Sequence, residues 1–580
     1  MSDRHFAHWP RMLPRHLTVP ATHLYRNIEV SALRYPDKAA LVFYDSVVSY
    51  ARLQDETERL AAHLQQVCGV RKGDRVLLYM QNSPQFVIGF YAILRADAVV
   101  VPVNPMNLTE ELRHYVSDAG ARTIVAPQDL FAQVRPLLRE GLAAAAADPA
   151  APGLRHAVVA AYSDYLTAPT DLPVPTFVHA PREPVTEPGA MPWTDALAAG
   201  LRPAPIQAGP DDLAVMPYTS GTTGHPKGCM HTHRSVMYNT VAGTQWLGTP
   251  QDAVSLVVLP LFHVTGMQNG MNGSLYVGAT IVLLPRWDRD AAAQLIQRYR
   301  VTGTQMIVTM VVDLLSNPRL AEYDLSSICR LSGGGASMPE AVATRLKELC
   351  RLDYIEGYGM SETIAPTHIN PPERPMKQCL GIPIFDVDAR VVDPATLAEL
   401  PPGEVGEIIV HGPQVMQGYW GQPQATEAAF VTLDGKRFLR TGDLARTDEH
   451  GYFYMVDRIK RMINASGFKV WPAEVEGADV RPPRHPGGLR DCRARRAPRR
   501  DREGRGGAAR GLQGPGERAG DRRLGARPHG SLQEPADRAV CRQPAQIGHR
   551  QGAVARIAGA GACTHRRVTC LAHHRKSLSL

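Results

Sequence analysis

The sequence predicts an α/β protein built on mainly parallel sheets, and three observations lead to that prediction. Strand and helix signals alternate through residues 28–130 and again from Leu213 onward. Residues 385–457 are instead rich in glycine and in short alternating runs, which favour a small antiparallel subdomain with hairpins. The last 103 residues contain no Trp, Tyr or Phe, so we do not expect them to fold as the rest does.

The N-terminal alternation begins with a helix over Tyr50–Cys68. One face of that helix carries Leu53, Thr57, Leu60, Ala61 and Leu64, and Gly69 is expected to end it. The next elements are a strand over Arg75–Met80, a helix over Ser83–Leu94 and a strand over Val99–Val103. A strand–helix–strand order implies a right-handed crossover between parallel neighbours.

The middle of the chain divides into two stretches. Residues 140–210 are rich in Ala and Pro, and we interpret them as an excursion over the surface. The alternation then resumes, with strands predicted over Ser255–Leu259, Thr280–Leu284 and Met306–Thr309 and an amphipathic helix over Ala291–Tyr299.

The net charge of +8 is unevenly distributed along the 580 residues. Residues 478–580 hold 22 Arg, one Lys and eight acidic residues, a net charge of +15, while the rest of the chain has a net charge of −7. The body therefore gives no reason to expect a nucleic-acid partner. The nine cysteines form no CxxC pair, and the longest apolar stretch, Ile88–Val103, is interrupted by Arg95 and Asp97. These features predict a cytoplasmic protein without a transmembrane segment.

The strongest local signal is YTSGTTGHPKG at Tyr218–Gly228. Its glycines let the backbone approach an anion, its hydroxyls and amides can surround phosphate oxygens, and Lys227 adds a positive charge. A flexible turn is the alternative for a loop of this composition. It is not a Walker loop, because no Gly-Lys-Ser/Thr opens a helix.

The full string resembles the phosphate loop of the AMP-forming adenylating enzymes, which include acyl-CoA synthetases, luciferases and peptide-synthetase adenylation domains. Further segments that are similar to those of this superfamily follow in order: LPLFHVTG (Leu259–Gly266), SGGGAS (Ser332–Ser337), YGMSET (Tyr358–Thr363), TGD (Thr441–Asp443), DRIK (Asp457–Lys460) and SGFKVWP (Ser466–Pro472). The resemblance covers about residues 25–477.

The resemblance assigns a role to each matching position. Phosphate contacts fall to Thr219, Ser220, Gly221, Thr222, Thr223, Gly224 and Lys227; the adenine side falls to Gly334, Gly335, Ala336, Glu356, Gly357, Tyr358 and Gly359. Asp443 would bind the ribose, Arg458 would contact the nucleotide, Lys460 would be the hinge, and Ser466 and Gly467 would lie by the coenzyme A path. Thr219, Lys227, Ser361, Glu362 and His263 are the catalytic candidates, with Glu362 and Thr219 as ligands of Mg²⁺.

The same resemblance implies the architecture and the substrates. Residues 1–457 would form a large N-terminal AMP-binding domain, with two mainly parallel sheets, helices and a small β-barrel-like subdomain. Residues 458–477 would be the hinge and the start of a C-terminal domain. The implied small molecules are ATP (or AMP), coenzyme A and a carboxylic acid, together with Mg²⁺; a homodimer is compatible with the family.

The acid itself is indicated by fewer residues. Phe262 is followed by His263, where amino-acid-activating relatives have Asp, so an amino acid is disfavoured. The Gly- and Met-rich stretch Val264–Tyr276 and the apolar stretch Met306–Val312 suit a tunnel for an acyl chain. We therefore favour a medium- or long-chain fatty acid over an aryl acid. The alternative is that these residues, His263 included, simply belong to a core.

Asp97 is the main departure from the family pattern, which usually has glycine at this helix-to-strand turn. A side chain at such a position predicts local backbone strain without loss of the chemistry.

The family resemblance stops after Glu476, and residues 478–580 lack the expected Pro-Lys-x-x-x-Gly-Lys string that carries a catalytic lysine. Suitable codons for residues 477–480 and 530–553, read one base later, restore family-like text that includes such a string. We therefore interpret residues 478–580 as a C-terminal domain read out of frame, so that the small domain is not intact and ligation is impaired. A catalytically defective nucleotide- or acyl-binding protein and an RNA-binding basic tail are the alternatives.

Overall fold

The computed structural model describes residues 3–219 and 225–458, together with the backbone of residues 463–465 and 468–470. Its strands are β1 (Ala39–Phe43), β2 (Ser46–Ser49), β3 (Arg75–Tyr79), β4 (Val99–Val103), β5 (Thr123–Pro127), β6 (His156–Ala160), β7 (Ala190–Pro192), β8 (Leu213–Val215), β9 (His231–Thr232), β10 (Val254–Val257), β11 (Thr280–Leu283), β12 (Gly303–Gln305), β13 (Arg330–Gly334), β14 (Tyr354–Met360), β15 (Ala365–Ile369), β16 (Ile382–Pro383), β17 (Asp388–Val392), β18 (Gly406–His411), β19 (Phe430–Leu433), β20 (Lys436–Thr447), β21 (Phe453–Arg458), β22 (Ile463–Ala465) and β23 (Phe468–Val470).

The α-helices are α1 (Arg26–Arg34), α2 (Tyr50–Gln66), α3 (Pro84–Arg95), α4 (Thr109–Ala119), α5 (Phe131–Ala147), α6 (Thr176–His179), α7 (Trp193–Ala198), α8 (His233–Trp246), α9 (Gly273–Val277), α10 (Arg289–Tyr299), α11 (Val308–Leu315), α12 (Glu340–Cys350) and α13 (Pro423–Ala428). Short 3₁₀ turns occupy Asp3–His8, Gln128–Leu130, Tyr162–Tyr165, Leu320–Glu322 and Ser361–Thr363, and Gly266–Asn272 is wound as a π-helix. Across the described ranges, no helix is long and apolar enough to cross a membrane.

A seven-stranded sheet has the order β7-β6-β5-β3-β4-β8-β9. Its neighbours are parallel except for β8 and β9 at one edge. The predicted strand at Val99–Val103 matches β4 in both bounds, and its parallel pairing with β3 is confirmed. All five residues of β4 are buried, which explains why the strand is a continuous run of apolar residues.

A nine-stranded sheet has the order β16-β15-β14-β13-β12-β10-β11-β1-β2. Its six central strands are parallel, and antiparallel strands close both ends. All twelve residues of α3 are buried, because one face meets Leu78 and Val125 while Tyr91 reaches Asn272. Ser83 begins this helix by accepting the N–H of Phe86.

The predicted antiparallel subdomain is confirmed. The order is β17-β18-β20-β19, with β21 pairing to the other part of the long strand β20. Phe438, Ile408 and Val410 lie in its buried interior, and the hairpin β22–β23 is a separate antiparallel pair. The domain boundaries expected near residues 457 and 477 stay a prediction.

The interpretation of residues 140–210 as a surface excursion is wrong. This stretch contains β6 and β7, which extend the seven-stranded sheet, and it buries Tyr162, Tyr165 and Trp193. The run HAVVA (His156–Ala160) is a fully paired strand, but the surrounding Ala and Pro masked its short apolar signal.

The strand predicted over Met306–Thr309 is also wrong. The strand ends at Gln305, and a helix, α11, begins at Val308. Val311, Leu314 and Leu315 are buried while Val312 is exposed, which is helical spacing and not alternation. The β-branched residues of the run favoured the strand interpretation.

Asp97 adopts the left-handed conformation that the sequence predicts for its turn, with φ of 61°. Its buried carboxylate accepts the backbone N–H groups of Gln207 (3.0 Å) and Ala208 (3.0 Å). The side chain therefore offsets the strain by tying the turn to the segment that leads into β8.

Candidate functional site

The two arms of the Gly/Thr-rich loop are paired with each other. Tyr218 pairs antiparallel with Gly228, and the N–H of Thr219 donates to the carbonyl of Lys227 at 3.0 Å. The hydroxyl of Thr219 in turn accepts the N–H of Lys227 at 3.4 Å. The predicted phosphate ligands Ser220, Gly221, Thr222, Thr223 and Gly224 lie outside the described residues.

Both arms are held by one face of α4. The hydroxyl of Tyr218 donates to Asp118 Oδ2 at 2.6 Å, and His114 Nε2 lies 2.8 Å from the carbonyl oxygen of Pro226. His114 and Asp118 are four residues apart and so share a helix face. Burial and the adjacent carboxylate raise the pKa of Tyr218, so the phenol keeps its proton and donates. Sequence reasoning missed both anchors, because nothing in the spacing links α4 to a loop one hundred residues away.

The predicted adenine-side glycines lie on neighbouring strands. Gly334 in β13 is paired in register with Gly357 in β14, and a Cβ on Gly334 would come within 2.4 Å of the Gly357 carbonyl oxygen. Gly335 has φ of 83°, which favours glycine, and Ala336 follows it. A Cβ on Gly359 would come within 2.0 Å of a backbone oxygen. The glycines thus permit a close approach of backbones at the carboxyl ends of these strands.

Glu356 is buried beside these glycines and is already engaged. Its Oε1 accepts the N–H of Gln378 at 2.9 Å, and burial raises its pKa to about 7. The structure therefore gives Glu356 a bond to the backbone, and its predicted contact with the nucleotide stays a prediction.

Three predicted nucleotide residues meet in one cluster. Tyr358 at the end of β14 donates its hydroxyl to Asp443 Oδ2 at 2.7 Å, and Arg458 Nε lies 3.1 Å from Asp443 Oδ1. Asp443 is 4% exposed, and burial raises its pKa while Tyr358 and Arg458 oppose that rise. Residues separated by up to 100 positions are thus brought together by β14, β20 and β21.

The predicted catalytic residues Ser361 and Glu362 lie in the 3₁₀ turn after β14. Glu362 is 8% exposed, and burial raises the pKa of its carboxyl. The carbonyl of Ser361 lies 2.8 Å from Nε2 of His231, which is completely buried and whose pKa burial lowers to about 4. A carbonyl oxygen only accepts, so this nitrogen of the neutral imidazole carries the proton.

Tyr419 connects Glu362 to the phosphate loop. Its hydroxyl donates to Glu362 Oε1 at 2.9 Å, and Lys227 Nζ lies 4.9 Å from the centroid of its ring. Tyr419 belongs to the GYW segment after β18, which was not predicted as part of the site. Its only signal in the sequence is an aromatic pair after glycine, and that pattern also occurs in ordinary turns.

His263 lies apart from these contacts. It follows β10, its side chain is exposed, and its Nδ1 accepts the N–H of Thr265 at 3.3 Å. Neighbouring protein groups still remove part of its hydration, which lowers the pKa of the ring. The alternative of a buried core histidine is therefore wrong, while its role as a catalytic candidate stays a prediction.

A small cavity of about 50 Å³ lies near the expected acyl region. It is lined by the π-helix at Asn269 and Gly270, by Gln305 at the end of β12 and by Ser332 in β13. The buried Oε1 of Gln305 has no hydrogen-bond partner among the described residues. Met267, Met271 and Met306 are completely buried, so part of the predicted tunnel lining packs as core.

The remaining predicted residues are Lys460, Ser466 and Gly467, which lie outside the described residues. Within the described ranges, no group of three or more His, Cys, Asp or Glu side chains is arranged to hold a metal ion.

Comparison with known proteins identifies the family. The family model described as "AMP-binding enzyme" matches residues 28–420. A long-chain-fatty-acid–CoA ligase of Bacillus subtilis is 33% identical over 496 residues, which cover 81% of this chain and 83% of the relative. A feruloyl-CoA synthase of Amycolatopsis is also 33% identical, over 76% of this chain and 79% of the relative.

The fold is shared with solved structures. The ATP-bound structure of MatB from Rhodopseudomonas palustris superimposes with a TM-score of 0.66 at 29% identity, over 79% of this chain and 83% of that one. The chain therefore belongs to the family of AMP-binding enzymes, and it is an AMP-forming acid–CoA ligase with ATP and coenzyme A as substrates.

Proposed function

We propose that this enzyme activates a medium- or long-chain fatty acid, first to the acyl-adenylate and then to the acyl-CoA thioester. The observation that carries the nucleotide part is the cluster of Tyr358, Asp443 and Arg458, whose charges also act on Glu362. Tyr419 in turn joins Glu362 to Lys227. The fatty acid is favoured by the apolar residues around the π-helix and by the Bacillus relative. An aryl acid is the second candidate, because the feruloyl-CoA synthase has the same 33% identity as the Bacillus ligase. In addition, the buried Oε1 of Gln305 is an acceptor without a partner among the residues described by the structure.

In the first step, one carboxylate oxygen of the acid attacks the α-phosphorus of ATP, and pyrophosphate leaves with the electrons of the broken P–O bond. Both reactants are anions, so the protein's task is to neutralise charge and to align them. Lys227 supplies a fixed positive charge at the phosphate loop, and Thr219 with Ser220, Thr222 and Thr223 supplies hydroxyls. Asp443 accepts from the ribose hydroxyls, Tyr358 lies against the adenine, and Ser361 contacts the α-phosphate.

The residues present fit a magnesium ion that stays bound to the substrate phosphates. Glu362 presents a buried carboxylate that Tyr419 orients, and Thr219 presents a hydroxyl, so the donors are hard oxygens. When bound, Mg²⁺ would neutralise phosphate charge during adenylation. The chain itself holds the carboxylate of Glu362 in place and keeps water away from it.

In the second step, the sulfur of coenzyme A attacks the acyl carbonyl and AMP leaves. We assign the pivot for this step to Lys460 and the approach of coenzyme A to Ser466 and Gly467, by similarity to the family. A pivoting small domain separates the two half-reactions and excludes water from each.

We also propose that residues 478–580 derive from a C-terminal domain read out of frame. The chain as it stands lacks the Pro-Lys-x-x-x-Gly-Lys string, so we expect weak or absent ligation with ATP binding retained. The nucleotide sequence tests the first statement: stop codons in the offset frame between positions 477 and 553 would contradict it.

A direct assay tests the activity. Pyrophosphate release and thioester formation are measured with ATP, coenzyme A and saturated fatty acids of increasing length, with ferulic acid as the aryl comparison. The full chain and a frame-restored version are assayed side by side. We expect thioester from the restored version with fatty acids and little from the full chain. Equal thioester formation by both would contradict the impairment, and faster turnover of ferulic acid would favour the aryl alternative.

Lys227→Met and Lys347→Met make a matched pair for this assay. Lys347 is an exposed lysine on α12 that pairs with Asp353, so only the Lys227 variant should lose pyrophosphate release. A normal rate for Lys227→Met would contradict the assigned phosphate site.

A further inference from the structure

We propose that Tyr419 is a positioning residue that sets the place of the phosphate-loop lysine and of the magnesium-binding glutamate with one side chain. The inference rests on the proposed function of Lys227 and Glu362. The hydroxyl of Tyr419 donates to Glu362 Oε1 at 2.9 Å, while its ring lies 4.9 Å from Lys227 Nζ. One phenol therefore contacts both of the oppositely charged groups that ATP and its cation must meet.

Tyr419 is itself fixed by the outgoing arm of the loop. The segment 417–420 runs antiparallel to residues 228–230, through the bonds Gln417 N–H to Met230 O (2.9 Å), Met230 N–H to Gly418 O (2.9 Å) and Trp420 N–H to Gly228 O (2.8 Å). The N–H of Tyr419 donates to the hydroxyl of Thr426 at 2.9 Å. The backbone around Tyr419 is thus paired antiparallel with the outgoing arm of the phosphate loop.

The physical chemistry of the two contacts explains why a tyrosine is suited to this position. A buried carboxylate needs a donor, and the phenol keeps its proton because burial and Glu362 raise its pKa. The face of the ring carries partial negative charge and attracts the ammonium of Lys227. The hydroxyl and the ring act on different partners, so substitutions can remove them one at a time.

Each contact predicts a separate effect on nucleotide binding. The hydroxyl acts on Glu362 and so on the cation, whereas the ring acts on Lys227 and so on the phosphates themselves. Preorganised charges bind without rearrangement, and loss of the orienting group weakens binding. A merely structural role for Tyr419 would instead weaken ATP binding equally with and without Mg²⁺.

The test is the equilibrium affinity of the full chain for ATP, measured with excess Mg²⁺ and with EDTA, so that it does not depend on ligase turnover. For Tyr419→Phe we expect the gain in affinity from Mg²⁺ to fall about tenfold, since a bond to a charged group is lost. Affinity in EDTA should stay within about twofold, because the ring remains over Lys227. Tyr419→Leu should also weaken binding in EDTA, by about three- to fivefold.

Tyr323→Phe is the matched control. The hydroxyl of Tyr323 also donates to a carboxylate, Asp290 Oδ1 at 2.8 Å, but on the far helix α10. In this variant, the gain in ATP affinity caused by Mg²⁺ should equal that of the wild type. The thermal unfolding midpoints are measured for all variants to check that each one folds. An unchanged Mg²⁺ gain in Tyr419→Phe, or an equal loss in both conditions, would overturn the inference. A wild-type chain that does not bind ATP at all would overturn the proposed nucleotide site and this inference with it.

Discussion

The nucleotide half and the acyl half of the candidate site are built in different ways. In the nucleotide half, charged and hydroxyl groups from β14, β20, β21, the 3₁₀ turn at Ser361–Thr363 and the segment 417–420 bond to each other at 2.7–3.1 Å. In the acyl half, apolar side chains pack around a π-helix, and the buried Oε1 of Gln305 has no hydrogen-bond partner in the part of the chain that the structure describes. The proposed nucleotide half thus rests on residue type at fixed positions, whereas the proposed acyl half rests on the shape of a cavity.

The largest expected effect comes from breaking the centre of the nucleotide half. Asp443→Asn removes the negative charge that Tyr358 and Arg458 both contact and that the ribose would meet. We expect ATP affinity to fall by about 10- to 100-fold, since bonds to a charged group contribute about 1.5–3 kcal/mol. Calorimetric titration of the full chain with ATP checks this.

Asp434→Asn is the control for that change. Asp434 lies in the turn between β19 and β20 and pairs with Arg390 at 2.6 Å, in the same subdomain but away from Tyr358. Its ATP affinity should match the wild type. An Asp443→Asn protein that binds ATP normally would contradict the ribose assignment.

The same contrast explains what the sequence could predict. Tyr358, Asp443 and Arg458 were predicted because each sits in a short string that resembles a segment of the family, and the parallel strands were predicted because their runs are continuously apolar. Tyr419, His114 and Asp118 were missed because their importance comes from contacts across 57 to 112 residues. The run at Met306 was wrongly predicted as a strand because β-branched residues favour a strand locally. In the fold, its apolar residues are buried at helical spacing, and the segment forms α11.

The nucleotide half also depends on a neutral histidine. Burial lowers the pKa of His231 to about 4, below the usual 6.5, so the unfolded chain takes up its proton first as the pH falls. His231 therefore leaves the free energy of unfolding unchanged above pH 6.5. As the pH falls from 6.5 to about 4, it lowers that free energy progressively. The variant His231→Gln keeps a donor for the carbonyl of Ser361. Between pH 7.5 and pH 5.0, we expect its free energy of unfolding to fall by about 2 kcal/mol less than that of the wild type.

Denaturant unfolding at the two pH values measures this difference. His411→Gln is the matched control, because His411 also contacts a carbonyl oxygen, that of Arg437 at 2.9 Å, but at the more exposed edge of β18. It should retain the acid sensitivity of the wild type. An equal loss of stability in His231→Gln and wild type would show that the buried imidazole does not drive the acid response.

A smaller effect is expected in the acyl half. Gln305→Leu removes a buried amide oxygen that has no hydrogen-bond partner among the described residues, so the free energy of unfolding should rise by about 1 kcal/mol. Binding of a fatty acyl-adenylate analogue should strengthen, whereas a feruloyl analogue should bind more weakly if its phenol donates to Gln305. Gln251→Leu, on the exposed turn before β10, is the control. If the affinities for both analogues change equally, Gln305 does not determine which acid is bound.

The smallest effect tests the outer anchor of the nucleotide half. Asp118→Asn keeps an oxygen that can accept from Tyr218 but removes its charge, so the phosphate-loop arm should stay attached through a weaker bond. We expect ATP affinity to fall by about two- to fivefold, corresponding to about 0.5–1 kcal/mol, with the Mg²⁺ gain unchanged because Tyr419 and Glu362 are untouched. Asp195→Asn on the exposed side of α7 is the control and should bind ATP as the wild type does. A loss as large as that of Asp443→Asn would mean that the loop arms contribute to nucleotide binding as much as the ribose cluster does. No loss would mean that the charge of Asp118 is not needed, and that the His114 contact and the Thr219–Lys227 pairing suffice to hold the arms.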